Sequence, residues 1–565
     1  MDEYRIKLRD VYKGYTYDLD KLISPEETVR RFKKKVKEIG LNILEETRRI
    51  DNGRLGIPVY FSICGPDARQ LLGTRKQMGK GGTPAQAEAS AIMELAERFS
   101  LYSFLKRDFM EAGYREIKDK AIPFEYIANS VHDESDAYKL YDVFSDLPLR
   151  WCQAYNLSQN KGMLVPIDWF FMINQYNGSS AGNCNEEAIL QGICEVVERH
   201  VSAIVWKKKV STPSLDISDL QDPLAKELVK RYKNAGINIY VNDFSLATGI
   251  PTISVVACDP STFPESSEIV WTAGTTTSPE KSLIRALTEV AQLGGDFNTG
   301  SNYVPSGLPK PRSLEEIDFV INPLSRVSIH DLPDISDQNI RIEIERVVSA
   351  LSRNGMDVVI VDITHDLLNI PAFYTIIPGA HFRERAKGAS LGMFTARLVI
   401  EKGNPVQALY ILDKMENSLP HKRYYIDFFR GLSYMNMGEI DTAIKCLRRS
   451  LELNPEAQDI PTIYSYLAYC LKETGKYREA IQALERAEEY DDTRTDIYNL
   501  MGFCYFKLKE HKEAIRCFEK VISIDPGSAI DYANIGVNYE KMGQVDEAIR
   551  FYKIALDLDP DISFA

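Results

Sequence analysis
Three segments of the chain repeat one acidic pattern: GKGGTPAQAEASAIMELAERFS, SSAGNCNEEAILQGICEVVERH and TAGTTTSPEKSLIRALTEVAQLGG. Each opens on a Gly-containing polar loop and then offers a helix start, at Thr83-Pro84, Asn185-Glu186 and Ser278-Pro279. At a nearly constant depth stands a polar pair three residues apart: Glu94 and Glu97, Glu195 and Glu198, Glu289 and Gln292. Positions i and i+3 share a helix face. So does the position four before each first glutamate, which holds Ser90, Gln191 or Arg285. A single such pair reads as a solvated surface. Three matched copies, flanked by Ile92, Leu95, Ile193, Val196, Leu287 and Val290, read as polar stripes on largely buried helices.

Five inward-facing glutamates are costly unless something positive neutralises them. The stripes hold no His or Cys, so Mg²⁺ fits better than zinc or copper. Mg²⁺ usually comes with phosphates, and the loops before the helices offer backbone N–H groups to them. Arg199, Arg285 and Lys80 are candidate partners for phosphate oxygens. The residues therefore predict a Mg²⁺-nucleotide site. It is not a Walker A loop, since GxxxxGK[ST] is absent, nor a protein-kinase site, since HRD and DFG are absent.

Strand-like runs surround these helices: 57–64, 150–157, 237–244, 252–258, 268–277, 358–365 and 373–379, rich in β-branched and aromatic residues. A helix is predicted over 25–39, with Ser24 as cap, Pro25 at its first position and Glu27 in its first turn. The lysines of KKKVKEIG and WKKKVS read as solvated faces. Ser180 reads either as a loop-lining hydroxyl or as a turn residue.

The last third of the chain has a period of 34. Ala468, Gly502 and Gly536 keep this step, as do Ala480, Ala514 and Ala548, and Pro526 and Pro560. This is the pattern of tetratricopeptide (TPR) repeats, about four and a half of them over 389–565, with looser early units around Gly431 and Gly403. Stacked pairs leave a concave groove suited to a protein or peptide partner, or form a strut against the rest of the molecule. The segment 384–390 is the expected linker, which divides the chain into domains 1–385 and 389–565.

The three acidic segments resemble the ATP-site motifs of the YcaO family: SAxxExxER, then AGNxxxEAxxQGxxExxER, then RxxTExxQ, in that order. IIPGAHF (376–382) is similar to the family's late strand element. The resemblance implies an α+β YcaO-type ATP-binding domain followed by an all-α TPR solenoid, as in stand-alone bacterial members that also end in such repeats. It implies ATP and Mg²⁺ as cofactors and activation of a peptide backbone amide by phosphorylation or adenylylation. It assigns Glu94, Glu97, Glu195, Glu198, Glu289 and Gln292 to Mg²⁺. It assigns Ser90, Asn183, Glu187, Arg199 and Arg285 to ATP, with Lys80 beside them and Lys21 and Thr28 as an N-terminal nucleotide contact. Glu195, Glu198 and Arg285 are expected to carry catalysis. Thioamidation, or an accessory role in ribosomal-protein methylthiolation, is expected ahead of azoline formation, because the ending DLDPDISFA differs from the PxPxP tail of cyclodehydratases. The rival reading is a TPR scaffold with a structural or regulatory ATP site.

The composition sets outer bounds. With 565 residues, 44% hydrophobic and 26% charged, the chain is globular. Its net charge of −13 disfavours nucleic acid as partner. No apolar run is long enough to span a membrane, and MDEYRIKLRD lacks a signal-peptide core. Nine scattered cysteines without a CxxC pair predict reduced, buried thiols in a cytoplasmic protein. A homodimer is expected.

Overall fold
The computed structural model describes residues 4–14, 21–132, 137–300, 303–305, 307–382, 390–559 and 562. Residues 384–389 of the expected linker lie outside them. The chain divides into two compact units, one of Met1–His132 with Pro148–Arg385 and one of Asp133–Leu147 with Ala386–Ala565.

Among its described residues the first unit holds three sheets. One is β1 (Leu44–Arg49), β2 (Val59–Cys64) and β3 (Lys76–Lys80), in that spatial order. A second contains β4 (Met110–Ala112), β5 (Leu149–Asn156), β6 (Lys161–Pro166), β7 (Ser179–Ala181), β13 (Val359–Asp362) and β14 (Ala372–Ile376). Its order is β4-β5-β13-β14-β7, with β6 on β5. The third runs β11-β10-β9-β8-β12, from β8 (Ser214–Asp216), β9 (Asn238–Asp243), β10 (Thr252–Cys258), β11 (Val270–Thr275) and β12 (Arg326–Ser328). All seven strand-like runs of the sequence overlap one of these strands, and five of them contain it whole.

One strand in each sheet feeds an acidic helix. β3 leads to α2 (Pro84–Leu105), β7 to α3 (Asn185–Lys208) and β11 to α4 (Pro279–Gly294). All three strands are the outermost of their sheets. The predicted first helix, α1 (Pro25–Ile39), is capped by Ser24 Oγ, which accepts from the Glu27 N–H at 3.2 Å. Thr83 caps α2 in a full capping box with Gln86. Strand and helix pack so closely that two glycines are required. A Cβ on Gly79 of β3 would lie 2.0 Å from the Ala91 nitrogen of α2, and one on Gly274 of β11 would lie 2.3 Å from the Ser282 oxygen of α4.

Each acidic helix has its own apolar core. Ile92, Leu95 and Phe99 of α2 pack with Phe32 and Ile43; Ile189, Ile193 and Val197 of α3 with Ile344, Val347 and Phe373; Leu283, Leu287 and Val290 of α4 with Ile253 and Val255. All nine cysteines are buried and none is in a disulfide. Among the described residues no helix is long and apolar enough to cross a membrane.

The second unit continues as five helix pairs between Leu391 and Leu558. The small residues of the 34-residue step sit where the two helices of a pair cross. A Cβ on Gly431, Gly502 or Gly536 would run into Leu447, Phe518 or Tyr552.

Candidate active site
The three acidic helices wall one cavity of about 800 Å³. α2 contributes Ser90, Glu94 and Glu97; α3 contributes Gln191, Glu195 and Arg199; α4 contributes Arg285, Glu289 and Gln292. Lys80, at the end of β3, and Lys21, Thr28, Asn183 and Glu187 line it as well. The matched spacing in the sequence thus becomes one convergent polar surface. Glu198 is the exception. It stands behind the wall, 1% exposed, as a support for neighbouring groups.

The helices are linked in a ring. Each places a glutamate on the edge strand that feeds the next. Glu97 of α2 accepts a hydrogen bond from Ser179 Oγ of β7 at 2.6 Å. Glu198 of α3 accepts one from the Thr275 N–H of β11 at 3.1 Å. Glu289 of α4 closes the ring with an ion pair to Lys80 of β3. Three sheets from distant parts of the sequence are joined at the site by these contacts.

Four cations offset the carboxylates. Arg98 reaches Glu94 at 2.7 Å and Glu97 at 3.2 Å and lies 4.1 Å above the Tyr176 ring. Arg199 repeats that geometry one helix on, 3.7 Å from Glu195 and 3.5 Å from Glu198. Arg285 approaches Glu198 at 3.3 Å, and Lys80 pairs with Glu289. The compensation is uneven. Burial raises the carboxyls of Glu97, Glu195 and Glu198, and the charge of Glu94 pushes Glu97 further up. Burial also acts on Glu289, but Lys80, Arg199 and Arg285 outweigh it and hold that carboxyl at about 2. At Glu289 the cations win, and at Glu97, Glu195 and Glu198 burial outweighs the nearby arginines.

Sequence reasoning missed Arg98, Ser179 and Tyr176. Arg98 was readable, since it follows Glu97 as Arg199 follows Glu198. Ser180 lies on β7, not in a loop, and donates to the Ala188 carbonyl at 2.6 Å. Asn183 and Glu187 hold the N-terminal segment in place. Glu187 accepts from the Leu22 N–H at 2.5 Å and from both the Asn183 N–H and Nδ2 at 2.9 and 3.0 Å. Thr28 Oγ1 donates to Asn183 Oδ1 at 3.0 Å.

Among the described residues no three Asp, Glu, His or Cys side chains are grouped as a ready-made metal cage. Mg²⁺ does not need one, because it keeps several waters and takes one or two carboxylates together with phosphate oxygens. A cavity in which buried carboxylates and guanidinium groups alternate is suited to a hard cation bound together with a polyanion.

Comparison with known proteins agrees. The family model described as "YcaO cyclodehydratase, ATP-ad Mg2+-binding" matches residues 78–381, more than half of the chain. A tetratricopeptide repeat model matches 493–561, and that of anaphase-promoting complex subunit 3 matches 436–521. An uncharacterized protein of Methanothermobacter thermautotrophicus is 28% identical over 63% of this chain and 94% of its own length. The Escherichia coli ribosomal protein S12 methylthiotransferase accessory factor YcaO is 25% identical over 42% of this chain, which spans less than half (43%) of that relative. The fold is shared with the YcaO of Methanopyrus kandleri, solved with AMPPCP and Mg²⁺. That structure has a TM-score of 0.50 and 22% identity, over 68% of this chain and 98% of the other. ATP and Mg²⁺ are the cofactors of this domain. The chain belongs to the YcaO family and carries TPR-like repeats at its C-terminal end.

Proposed function
We infer that the protein is an ATP-dependent enzyme that activates a peptide backbone amide by phosphorylation or adenylylation. Its product would be a thioamide, or it would assist methylthiolation of a ribosomal protein. The observation that carries this reading is the convergence of Glu94, Glu97, Glu195, Glu289 and Gln292 with Arg199, Arg285 and Lys80 around one cavity.

The residues fit Mg²⁺ and ATP. Glu198 Oε1 is buried without a hydrogen bond, and at Glu97 and Glu195 burial outweighs the nearby arginines, so a further cation is accommodated there. Glu94, Glu97, Glu195, Glu289 and Gln292 would hold Mg²⁺, with Glu198 behind them. Ser90, Asn183, Glu187, Arg199 and Arg285 would hold ATP, with Lys21 and Thr28 at its outer end. When bound, ATP would supply the phosphoryl or adenylyl group that the amide oxygen takes up, with release of ADP or diphosphate; sulfide adding at the carbonyl carbon would then expel that oxygen as phosphate or AMP, and Mg²⁺ would screen the phosphate charge. The chain's own part is positioning and charge. Arg199, Arg285 and Lys80 face the region where charge gathers, and the Glu198–Thr275 bond fixes the third loop. Arg98 lines the same cavity and holds Glu94 and Glu97 in place.

Incubating the full chain with ATP, Mg²⁺ and sulfide, then following nucleotide products and peptide masses, tests the reading. A nucleotide-dependent mass change on a co-incubated protein supports it. The scaffold reading draws on the five helix pairs. It wins if partner capture survives Glu195→Ala and no nucleotide is consumed.

A further inference from the structure
The three edge strands that feed the acidic helices differ in access. β7 is three residues long with Ser179 and Ser180 buried, and β11 is buried throughout. In β3, Lys76 is exposed and Gln77, Met78 and Lys80 are half-buried.

Among the described residues β3 pairs with β2 alone. The Cys64 N–H donates to the Arg75 carbonyl at 2.9 Å, so Arg75, Gln77 and Gly79 direct their backbone groups at β2. By alternation, the N–H and C=O of Lys76 and Met78 point the other way, and among the described residues no backbone hydrogen bond reaches them from outside the ladder. The cavity passes around this edge. Gly79 faces α2, so Gln77 does too, and Gln77 lines the cavity together with Met93 of that helix. Lys76 and Met78 face the opposite side, where Phe61 stands across from Met78 in register, and all three line the same cavity. The strand ends at Lys80, paired with Glu289 in the carboxylate cluster.

An unpaired, accessible strand edge is a template for an extended peptide. We propose that the free edge of β3 is the docking site for the peptide whose amide is activated, bound in extended form as an added strand. The proposal rests on the amide-activating reading. A peptide lying along Lys76 and Met78 toward Lys80 brings a backbone amide to the carboxylate cluster. Main-chain hydrogen bonds hold it, and side chains of one parity lie on Phe61 and Met78. The substrate class is an extended segment with an apolar residue at that position.

The test uses the full chain saturated with AMPPCP and Mg²⁺ and a randomised decapeptide pool, from which retained peptides are resynthesised. The expected result is protection of the Lys76 and Met78 amides from hydrogen exchange. Met78→Pro, which deletes one outward N–H at an edge where proline is tolerated, should weaken peptide binding about ten-fold or more while AMPPCP affinity stays within about two-fold. Lys76→Pro serves if Met78→Pro does not fold. Three results overturn the proposal: no peptide retained, protection confined to 391–558, or undiminished peptide binding by a folded proline variant. Failure of AMPPCP to bind the wild-type chain would instead remove the underlying reading.

Discussion

Glu97 of α2 and Ser179 of β7 stand 2.6 Å apart, oxygen to oxygen, and join two of the three sheets at the site. Ser179 has one hydroxyl proton but two acceptors at that distance, the other being the Tyr176 carbonyl. A proton on Glu97 relieves the shortage, in keeping with the direction in which burial and Glu94 push its carboxyl.

That direction sets the pH dependence of the nucleotide-free enzyme. Glu97, Glu195 and Glu198 have folded pKa values above their unfolded ones, so the folded state binds more protons between about pH 4.5 and the raised values. Their contribution to stability therefore grows as pH falls from neutral toward that limit. Glu289, held at about 2, works in the opposite sense and loses its contribution as pH falls from its unfolded value toward 2. Unfolding of the enzyme unit in denaturant should show greater stability near about pH 5 than at pH 7. Glu97→Gln should flatten that rise. A stability that falls steadily below neutral, with the variant parallel to wild type, would contradict the assignment.

Arg285 and Glu198 bind α4 to α3 with the guanidinium 3.3 Å from a buried carboxylate. Arg285→Met leaves Glu198 with Arg199 as its nearest cation, so a loss of about 3 kcal/mol is expected in equilibrium unfolding. Adding Glu198→Gln should recover part of it. A double variant whose loss equals the sum of the two single losses would mean that the pair is not coupled.

Lys509 occupies a left-handed backbone position with φ 62°. Gly475 and Gly543, one repeat before and after, have φ 74° and 76° at the same turn. Lys509→Gly should raise the stability of the repeat unit by about 1 kcal/mol, read as a later denaturant midpoint. An unchanged or earlier midpoint would show that the Lys509 side chain has a compensating contact.

The sequence revealed what local chemistry controls. The seven β-branched and aromatic runs hold strands, and the matched spacing brings all of its residues but Glu198 into one cavity. β1, reading LEETRR, and β3, reading KQMGK, escaped notice because their residues are largely charged or polar. The ring of contacts was also hidden, since i,i+3 spacing says that two glutamates share a face but not which strand that face meets. The same holds for the N-terminal arm. Lys13 Nζ lies 2.7 Å from Glu343, which also accepts from Thr277 Oγ1 of the third loop at 2.6 Å. No local signal links residues so far apart in the chain.

Mg²⁺-dependent nucleotide binding at the three helices is the property on which the proposed function most directly depends. Calorimetric titration of AMPPCP into the full chain, with and without Mg²⁺, should show binding that requires the metal. Glu195→Ala should weaken it about 100-fold or more while the variant stays folded. Binding that is indifferent to Mg²⁺, or unchanged in Glu195→Ala, would contradict that function.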